Sequence, residues 1–246
     1  MTATTSDSII PQLPTVTTPT TASTVRGEHA KYQLLRAAAD IYGELGLDGA
    51  TTRKISQISG QNIASIAYYF GSKEGLYLAV AQLIADSIKA TFSQLLHEID
   101  LYLLQSNENK LPEQALKLIQ QALMDYNYFQ LEKNNLSFSR ILAREQLNPT
   151  EAYTIIHEQA LGPIHSRLNR LIAIYIEADP TDLSTLIHTH AILGEILSFR
   201  IARETLLRQT GWQHINEDEY KIINQVLIQH TSILLNGLRH RKNAEK

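Results

Sequence analysis

Two short amphipathic segments, divided by one glycine and closed by another, constrain the fold of this chain more than any other feature. Thr51 stands where a helix N-cap belongs, and the segment behind it ends near Gly60. Asn62 can cap the second segment, which Gly71 ends. The apolar residues of both segments recur at helical spacing and are expected to bury their inner faces: Ile55, Ile58, Ile66 and Phe70. Two short helices joined by a tight turn that contains glycine, with a third helix to brace them, are the parts of a helix-turn-helix.

Helical patterns also fill the rest of the chain. Apolar residues over 34–45 recur at three- and four-residue spacing and stop at Gly46, which predicts the bracing helix. Ser72 is placed to cap a long helix over 73–105. Five further helices are expected, over 112–132, 135–147, 150–178, 180–210 and 216–240. The predicted fold class is therefore all-α, with about nine helices that form a three-helix head and a larger helical domain.

Composition and missing motifs exclude most kinds of catalysis. The chain has no cysteine, which excludes disulfides, thiolate zinc sites and cysteine nucleophiles. It has no HExxH motif, no glycine-rich phosphate loop and no nucleophile elbow. His188 and His190 are two residues apart and face different sides of a helix, so they cannot both bind one metal ion. We expect a protein that is not an enzyme and needs no cofactor.

The sequence divides into an arm, a head and a body. Residues 1–25 are rich in Ser, Thr and Pro and are predicted to be a disordered arm. Residues 26–74 are assigned to the helix-turn-helix head and residues 75–242 to the helical body. The arm lacks the pattern of a signal peptide, and no apolar run approaches the ~20 residues that cross a membrane. A cytoplasmic protein without membrane contact is expected.

The stretch 51–77, TTRKISQISGQNIASIAYYFGSKEGLY, resembles the DNA-binding signature of the TetR family. The family pattern expects threonine at 51, isoleucine at 55, glycine at 60, an aliphatic residue at 66, aromatic residues at 68–70 and lysine at 73. The chain matches each of these and has serine at 56 and 59, where small residues are expected and alanine is commoner. The resemblance implies a head that binds double-stranded operator DNA and a body that binds a small effector and forms a homodimer.

The resemblance also implies which residues contact DNA. The third helix would enter the major groove and direct three side chains toward the bases: Ala64, Ser65 and Tyr68. Four residues lie where family members contact phosphates: Thr51, Arg53, Tyr69 and Lys73.

One departure from the family pattern alters how bases would be read. Ala67 stands where the family often has a large polar or aromatic residue, so the reading surface is poor in hydrogen-bond donors. Readout is then expected to use Gln61, Asn62 and Ser65, together with apolar contacts to thymine methyl groups. Ile63 is left open, since it can face DNA or pack inward one turn before Ile66.

Two segments of the second half, 140-RILAREQLNPTEAY-153 and 194-GEILSFRIARETLLRQTGW-212, resemble the C-terminal domain of the CecR-like branch of the family. The resemblance implies an effector pocket among the fifth to eighth helices. The candidate effector-binding residues are Tyr126, Phe129, Arg144 and Arg200, with an arginine to orient a polar or anionic group on a hydrophobic compound. The alternative is that the arginines and acids of these helices form buried salt bridges, which is favoured for Arg203 and Glu204.

The last helix carries more apolar surface than one neighbouring helix would cover, which suggests a partner helix. Val226, Leu227 and Leu234 are predicted to lie at the dimer interface. Two recognition helices one DNA turn apart, about 34 Å, would require a pseudo-palindromic operator.

These features predict a dimeric repressor that a small hydrophobic or drug-like effector releases from its operator, with an efflux transporter operon as the candidate target. The alternative is a DNA-bound regulator or activator that acts through a partner protein and has no small effector.

Overall fold

Every regular element is helical in the computed structural model of this chain, which describes residues 22–132 and 135–244. This confirms the all-α prediction. None of the described helices has the length and apolar character needed to cross a bilayer. The helices are α1 (Ala22–Gly49), α2 (Thr52–Ser59), α3 (Ile63–Phe70), α4 (Lys73–Leu104), α5 (Pro112–Leu131), α6 (Leu136–Leu147), α7 (Glu151–Ile156), α8 (Gly162–Ile176), α9 (Leu183–Ile201), α10 (Arg203–Thr210) and α11 (Glu217–Ala244).

The helix-turn-helix of α2 and α3 is capped as the sequence predicts. Oγ1 of Thr51 accepts a hydrogen bond from the backbone N–H of Lys54 at 3.2 Å, and Oδ1 of Asn62 accepts one from the backbone N–H of Ala64 at 2.9 Å. Gly60 ends α2 with a φ of 68°, in the left-handed region that glycine enters without a Cβ clash. Both short helices therefore have defined starts, and α2 has a defined end.

Three of the four apolar residues expected to form the core of the head do so. Ile55 and Ile66 are buried and Phe70 is half-buried against the core. The prediction for Ile58 is wrong, because that side chain is 55% exposed. The inner side of α2 runs through Ile55 and the half-buried Ser59. Ile58 projects about 60° from the first and about 100° from the second, so it is turned out of the core.

The head is joined to the body by α4 and by the packing of α1 on α6, the most extensive helix contact among the described residues. A Cβ at Gly43 would lie 2.8 Å from Cα of Ser137, so glycine allows the two helices to approach closely. The hydroxyl of Ser137 donates to Oδ1 of Asp40 at 2.6 Å, and the guanidinium of Arg36 lies 5.4 Å from the centre of the Phe138 ring. These contacts run along one side of α6.

Two of the predicted long helices are interrupted. The helix expected over 150–178 contains a π turn, in which the N–H of Gly162 bonds to the carbonyl of His157 five residues earlier. Pro163 follows, and a proline has no N–H to continue an α-helical ladder. The helix expected over 180–210 starts three residues late, at Leu183, and is divided into α9 and α10 at Ala202.

Both predicted domain limits fall inside helices of the structure. Residues 22–25 of the expected arm belong to α1, because the last proline of the arm is Pro19 and nothing after it prevents helix formation. Residues 1–21 lie outside the described residues. The limit between residues 74 and 75 falls in the first turn of α4, so the head and the body share this helix.

Candidate DNA-binding surface and sensor cavity

The exposed side of α3 is the candidate surface for contact with a DNA groove. Ile63, Ala64, Ala67 and Tyr68 lie on this side, and Tyr68 is 82% exposed. Ile63 is 49% exposed, so it faces outward with them. Except for the Tyr68 hydroxyl, these four side chains carry no hydrogen-bonding group. The surface is therefore suited to apolar contact with thymine methyl groups and one polar contact.

The polar residues beside this surface are partly engaged within the head. Nε2 of Gln61 donates to Oε1 of Gln33 on α1 at 2.7 Å, so the Gln61 amide is held against the head and is less available for base contact than expected. Asn62 is exposed and uses Oδ1 as the cap of α3, which leaves its amide donors free. Ser65 is half-buried at the edge of the exposed side.

Tyr69 packs between the recognition surface and α1. Its ring is half-buried and lies edge-on to the ring of Tyr68, with the two centres 4.9 Å apart. Its hydroxyl oxygen is 3.4 Å from the position of a Cβ at Gly27. The contact of Tyr69 with a phosphate stays a prediction.

The start of α2 is exposed and positively charged. Thr51, Arg53 and Lys54 are all exposed, and no ion pair in the described part of the chain holds the two cationic side chains. Free backbone N–H groups at the start of a helix attract phosphate. Lys54 is exposed, as Arg53 is, but no position of the family pattern points to it.

Lys73 lies in a different environment from the one expected. Its Nζ donates to the carbonyl oxygens of Leu47 at 3.0 Å and Ala50 at 3.4 Å, and the side chain is half-buried. In return, the hydroxyl of Tyr42 donates to the carbonyl of Lys73 at 2.8 Å. The last carbonyls of a helix lack partners within the helix, and a cation there is favourable. The Lys73 charge therefore lies at the end of α1, and its contact with a phosphate stays a prediction.

Arg144 binds the carbonyls that precede Gly46, where the backbone of α1 departs from helical angles with a φ of 73°. Its guanidinium on α6 donates to the carbonyl oxygens of Tyr42 at 2.5 Å, Gly43 at 3.0 Å and Glu44 at 2.8 Å. This arginine was expected to bind an effector, but its donors are used to hold α1 against α6. The sequence contains no signal for this contact, because the acceptors are backbone carbonyls about a hundred residues away.

The next residue, Glu145, links α6 to two other helices. Its buried carboxylate accepts hydrogen bonds from the hydroxyl of Tyr77 on α4 at 2.7 Å and from the backbone N–H of Thr150 at 2.9 Å. Burial, the Glu145 hydrogen bond and the nearby carboxylate charge raise the pKa of Tyr77. The adjacent residues Arg144 and Glu145 thus tie α6 to the head, to α4 and to the start of α7.

A small apolar cavity lies between α4, α5 and α8. Its accessible volume is about 20 Å³, which is room for about one water molecule. The walls come mainly from aliphatic and aromatic side chains: Ile88, Phe92, Ala122, Phe129, Leu142, Leu161, Ile164, Leu168 and Leu193. Of the four predicted effector residues, Tyr126 and Phe129 line this cavity.

The polar groups of the cavity are uncharged. They belong to Tyr126, Gln130 and His165, and the Tyr126 hydroxyl is hydrogen-bonded to Gln130. Burial raises the pKa of Tyr126. Burial lowers the pKa of His165 to about 4, and His157 and His190 act in the same direction, so the imidazole is neutral at pH 7. Gln130 and His165 were not selected from the sequence, since isolated polar residues on apolar helices carry no pattern.

Arg200 lies outside the cavity, in an open groove between α6, the end of α5 and the junction of α9 with α10. The expectation that Arg144 or Arg200 orients a ligand inside an apolar pocket is therefore not met by this structure. The expected salt bridge between Arg203 and Glu204 is also absent from the described residues. Glu204 pairs with Arg208 instead, at 2.9 Å, because the two are four residues apart on one side of α10.

An apolar surface on α9 and α11 is left uncovered by the chain. Its most exposed members are Leu183, Ile187, Ile201, Ile222 and Ile233. Of the residues predicted at a dimer interface, Leu234 is 39% exposed and Val226 is half-buried, but Leu227 is 2% exposed and packs in the core of its own chain. The buried stripe of α11 shifts around the helix along its length, so Leu227 and Leu234 differ in exposure although they are two turns apart.

A capped helix-turn-helix with an exposed recognition helix, joined to a larger helical body, defines the class of helix-turn-helix transcriptional regulators. Residues 34–80 match the model of the TetR family of bacterial regulatory proteins. Residues 112–238 match the C-terminal domain of the HTH-type transcriptional dual regulator CecR. The chain therefore belongs to the TetR family, with a body of the CecR type, and is a DNA-binding transcriptional regulator and not an enzyme.

Individual relatives agree with this assignment. The dual regulator CecR of Shigella flexneri is 43% identical over 89% of this chain and 97% of its own length. The transcriptional repressor NicS of Pseudomonas putida is 31% identical over 50% of this chain and 51% of its own length. A TetR-family regulator of Mesorhizobium loti shares the fold, with a TM-score of 0.55, 12% identity, and coverage of 86% of this chain and 97% of that structure.

Proposed function

We propose that the chain is a dimeric, cytoplasmic repressor that a small, uncharged hydrophobic compound releases from a pseudo-palindromic operator. The observation that carries this proposal is the enclosed cavity whose walls include α4, the helix that the head and the body share. A cavity with room for about one water molecule cannot accept a drug-sized compound without displacement of its walls. Ile88 and Phe92 of α4 are among those walls, so ligand entry would move α4, the helix on which the recognition helix α3 packs.

The polar groups of the cavity narrow the class of effector. Tyr126, Gln130 and a neutral His165 can exchange hydrogen bonds with a ligand, but none of them can balance a charge. An ion in an apolar cavity without a counter-charge is strongly disfavoured. The effector is thus expected to be neutral, in contrast to the anionic group that the sequence suggested.

The dimer is supported by the uncovered surface of α9 and α11. Gly194 and Gly237 lie on these two helices, and no atom lies within 4 Å of a Cβ placed at either of them, so a partner helix could approach closely. Contiguous exposed apolar surface of this kind marks protein contact sites. Pairing through a twofold axis would place two copies of α3 about 34 Å apart, one turn of DNA.

The experiment that tests this proposal is the recovery of genomic DNA fragments bound by the purified chain, followed by competition with neutral and charged compounds. A pseudo-palindromic site that neutral hydrophobic compounds release would support the proposal, and an adjacent efflux transporter operon would identify the expected target. Release by no compound would oppose it.

Regulation through a partner protein is the second candidate. The CecR relative is described as a dual regulator, so activation as well as repression has a precedent in a protein 43% identical to this chain. A compound that stabilises the protein and leaves its operator affinity unchanged would favour this candidate, because linkage requires an effector to bind the two states differently.

A further inference from the structure

Three arginines line the open groove that contains Arg200, and none of them lines the enclosed cavity. Arg140 comes from α6, Arg200 from the end of α9 and Arg203 from the start of α10. The groove has a volume of about 560 Å³, within the usual range of small-molecule sites.

The positive charge of this groove is not balanced by the described residues. Within the described residues, none of the three arginines forms an ion pair or a side-chain hydrogen bond. Among the described residues, Glu204 is the one acid that lines the groove, and it forms an ion pair with Arg208 at 2.9 Å. Burial, and then the neighbouring charges of Arg140 and Arg203, lower the pKa of Arg200. Like charges gathered around a half-buried guanidinium are unfavourable until an anion joins them.

A buried hydroxyl in the same groove also lacks a partner. Ser139 is 5% exposed, lines the groove and precedes Arg140, and its Oγ makes no hydrogen bond within the described residues. A buried polar group without a partner is costly, and none of the described residues satisfies this one. A hydroxyl donor and three guanidinium groups are the chemistry that binds carboxylate or phosphate oxygens.

The remaining walls are apolar and include Leu131, Leu136 and Ile215. We propose that this groove, which we call the arginine groove, is a second ligand site that binds a small organic anion, with a carboxylate or phosphate group on the arginines and Ser139 and an apolar part against the aliphatic walls. The site differs from the cavity of the proposed effector in both place and charge preference.

The arginine groove and the head contact α6 on adjoining sides of the helix. Leu136, Ser139 and Arg140 face the groove, whereas Ser137 and Arg144 contact α1. A ligand in the groove would therefore bind to the helix that is packed most extensively on the head.

The test uses two fluorescent probes of the same aromatic framework, the anionic anilinonaphthalene sulfonate and the neutral phenylnaphthylamine, with the full chain and no DNA. The anionic probe should bind wild-type protein, and Arg140→Gln and Arg200→Gln should each weaken it at least about tenfold, the expected loss of a charged hydrogen bond. Binding of the neutral probe should not change. The control is Arg170→Gln, which removes an exposed arginine of α8 outside the groove.

Thermal unfolding separates ligand binding from a structural role. Removal of one like charge should leave the Tm of ligand-free Arg200→Gln unchanged or higher, while the stabilisation by the anionic probe is lost. Arg140 is exposed, so Arg140→Gln will fold even where Arg200→Gln does not. Equal affinity of the anionic probe for wild type, Arg140→Gln and Arg200→Gln would overturn the proposal, as would equal weakening of both probes. Neither result depends on operator binding.

Discussion

The guanidinium of Arg144 donates a hydrogen bond of 2.5 Å to the carbonyl of Tyr42, 102 residues earlier in the chain. Two further bonds to Gly43 and Glu44 make Arg144 a clamp on the end of α1. Arg144→Met keeps most of the side-chain volume but removes the donors, and it should lower the free energy of unfolding by about 1–3 kcal/mol. Urea denaturation measures this change, and hydrogen exchange should show faster opening near residues 42–46.

Arg144→Lys is the matched variant, because it keeps the charge and loses the planar set of donors. It should lie between wild type and Arg144→Met. A stability of Arg144→Met equal to that of wild type would show that the clamp contributes nothing.

Lys73 and Arg53 should have separable effects, since one ammonium closes α1 and the other charge is free. Arg53→Ala should reduce the slope of log affinity against log salt by about one unit, because one phosphate contact is lost. Lys73→Ala should leave that slope unchanged and lower the stability of the head, because the carbonyls of Leu47 and Ala50 lose their donor. Salt titrations of operator binding distinguish the two variants. A reduced slope for Lys73→Ala would restore the phosphate role that the family pattern suggests.

Lys73 and Arg144, which both bind backbone carbonyls near the end of α1, illustrate what the sequence could not predict. Helix caps are local, so Thr51, Asn62 and Gly60 predicted the limits of α2 and α3 closely. The partners of Lys73 and Arg144 are backbone carbonyls that become available only when distant helices pack. No spacing in the sequence records such a contact.

The candidate sites show the same difference between features set by local sequence and features set by the packing of distant helices. Helical periodicity and the family pattern predicted Ala64 and Tyr68 on the exposed side of α3. They also predicted Tyr126 and Phe129 at one pocket, and both residues line the cavity. They could not exclude Arg200, because its distance from the cavity depends on how α9 crosses α5 and α6. For the same reason, a regular period on α11 did not distinguish Leu227 from Leu234.

A charge on the uncovered surface of α11 should dissociate the dimer without unfolding the chain. Ile233 is 64% exposed, so Ile233→Glu should fold, but pairing would bury the carboxylate without a partner. Sedimentation should find monomers at micromolar concentration, with weakened operator binding. Gln146→Glu, an exposed change on α6, should remain dimeric.

Leu227→Glu gives the contrasting result, because Leu227 is buried in its own chain. That variant should lower the stability of the fold before it affects assembly. A wild-type protein that sediments as a monomer would contradict the dimer.

Protonation of His165 should make the fold less stable in acid. The unfolded imidazole has a pKa of about 6.5, whereas burial holds the folded pKa at about 4. As the pH falls from 6.5 toward 4, the unfolded state takes up a proton that the folded state refuses, so stability is lost in this window. The loss between pH 7 and pH 5 should be about 2 kcal/mol.

Between the two pH values, His165→Gln should lose less stability than wild type by that amount. Urea denaturation at each pH measures the difference. His214→Gln changes an exposed histidine and serves as the control. Equal pH dependence in wild type and His165→Gln would mean that His165 titrates normally in the fold.

The most direct test of the DNA-binding account is the affinity of Tyr68→Ala for a set of operators that differ at single base pairs. Tyr68 is 82% exposed and carries the polar group of the recognition surface. The account predicts that the variant loses discrimination of about 1–3 kcal/mol at one base pair of each half-site, while its affinity for random DNA stays that of wild type. If Tyr68→Ala ranks every operator as wild type does, with the same affinities, α3 is not the helix that reads the DNA.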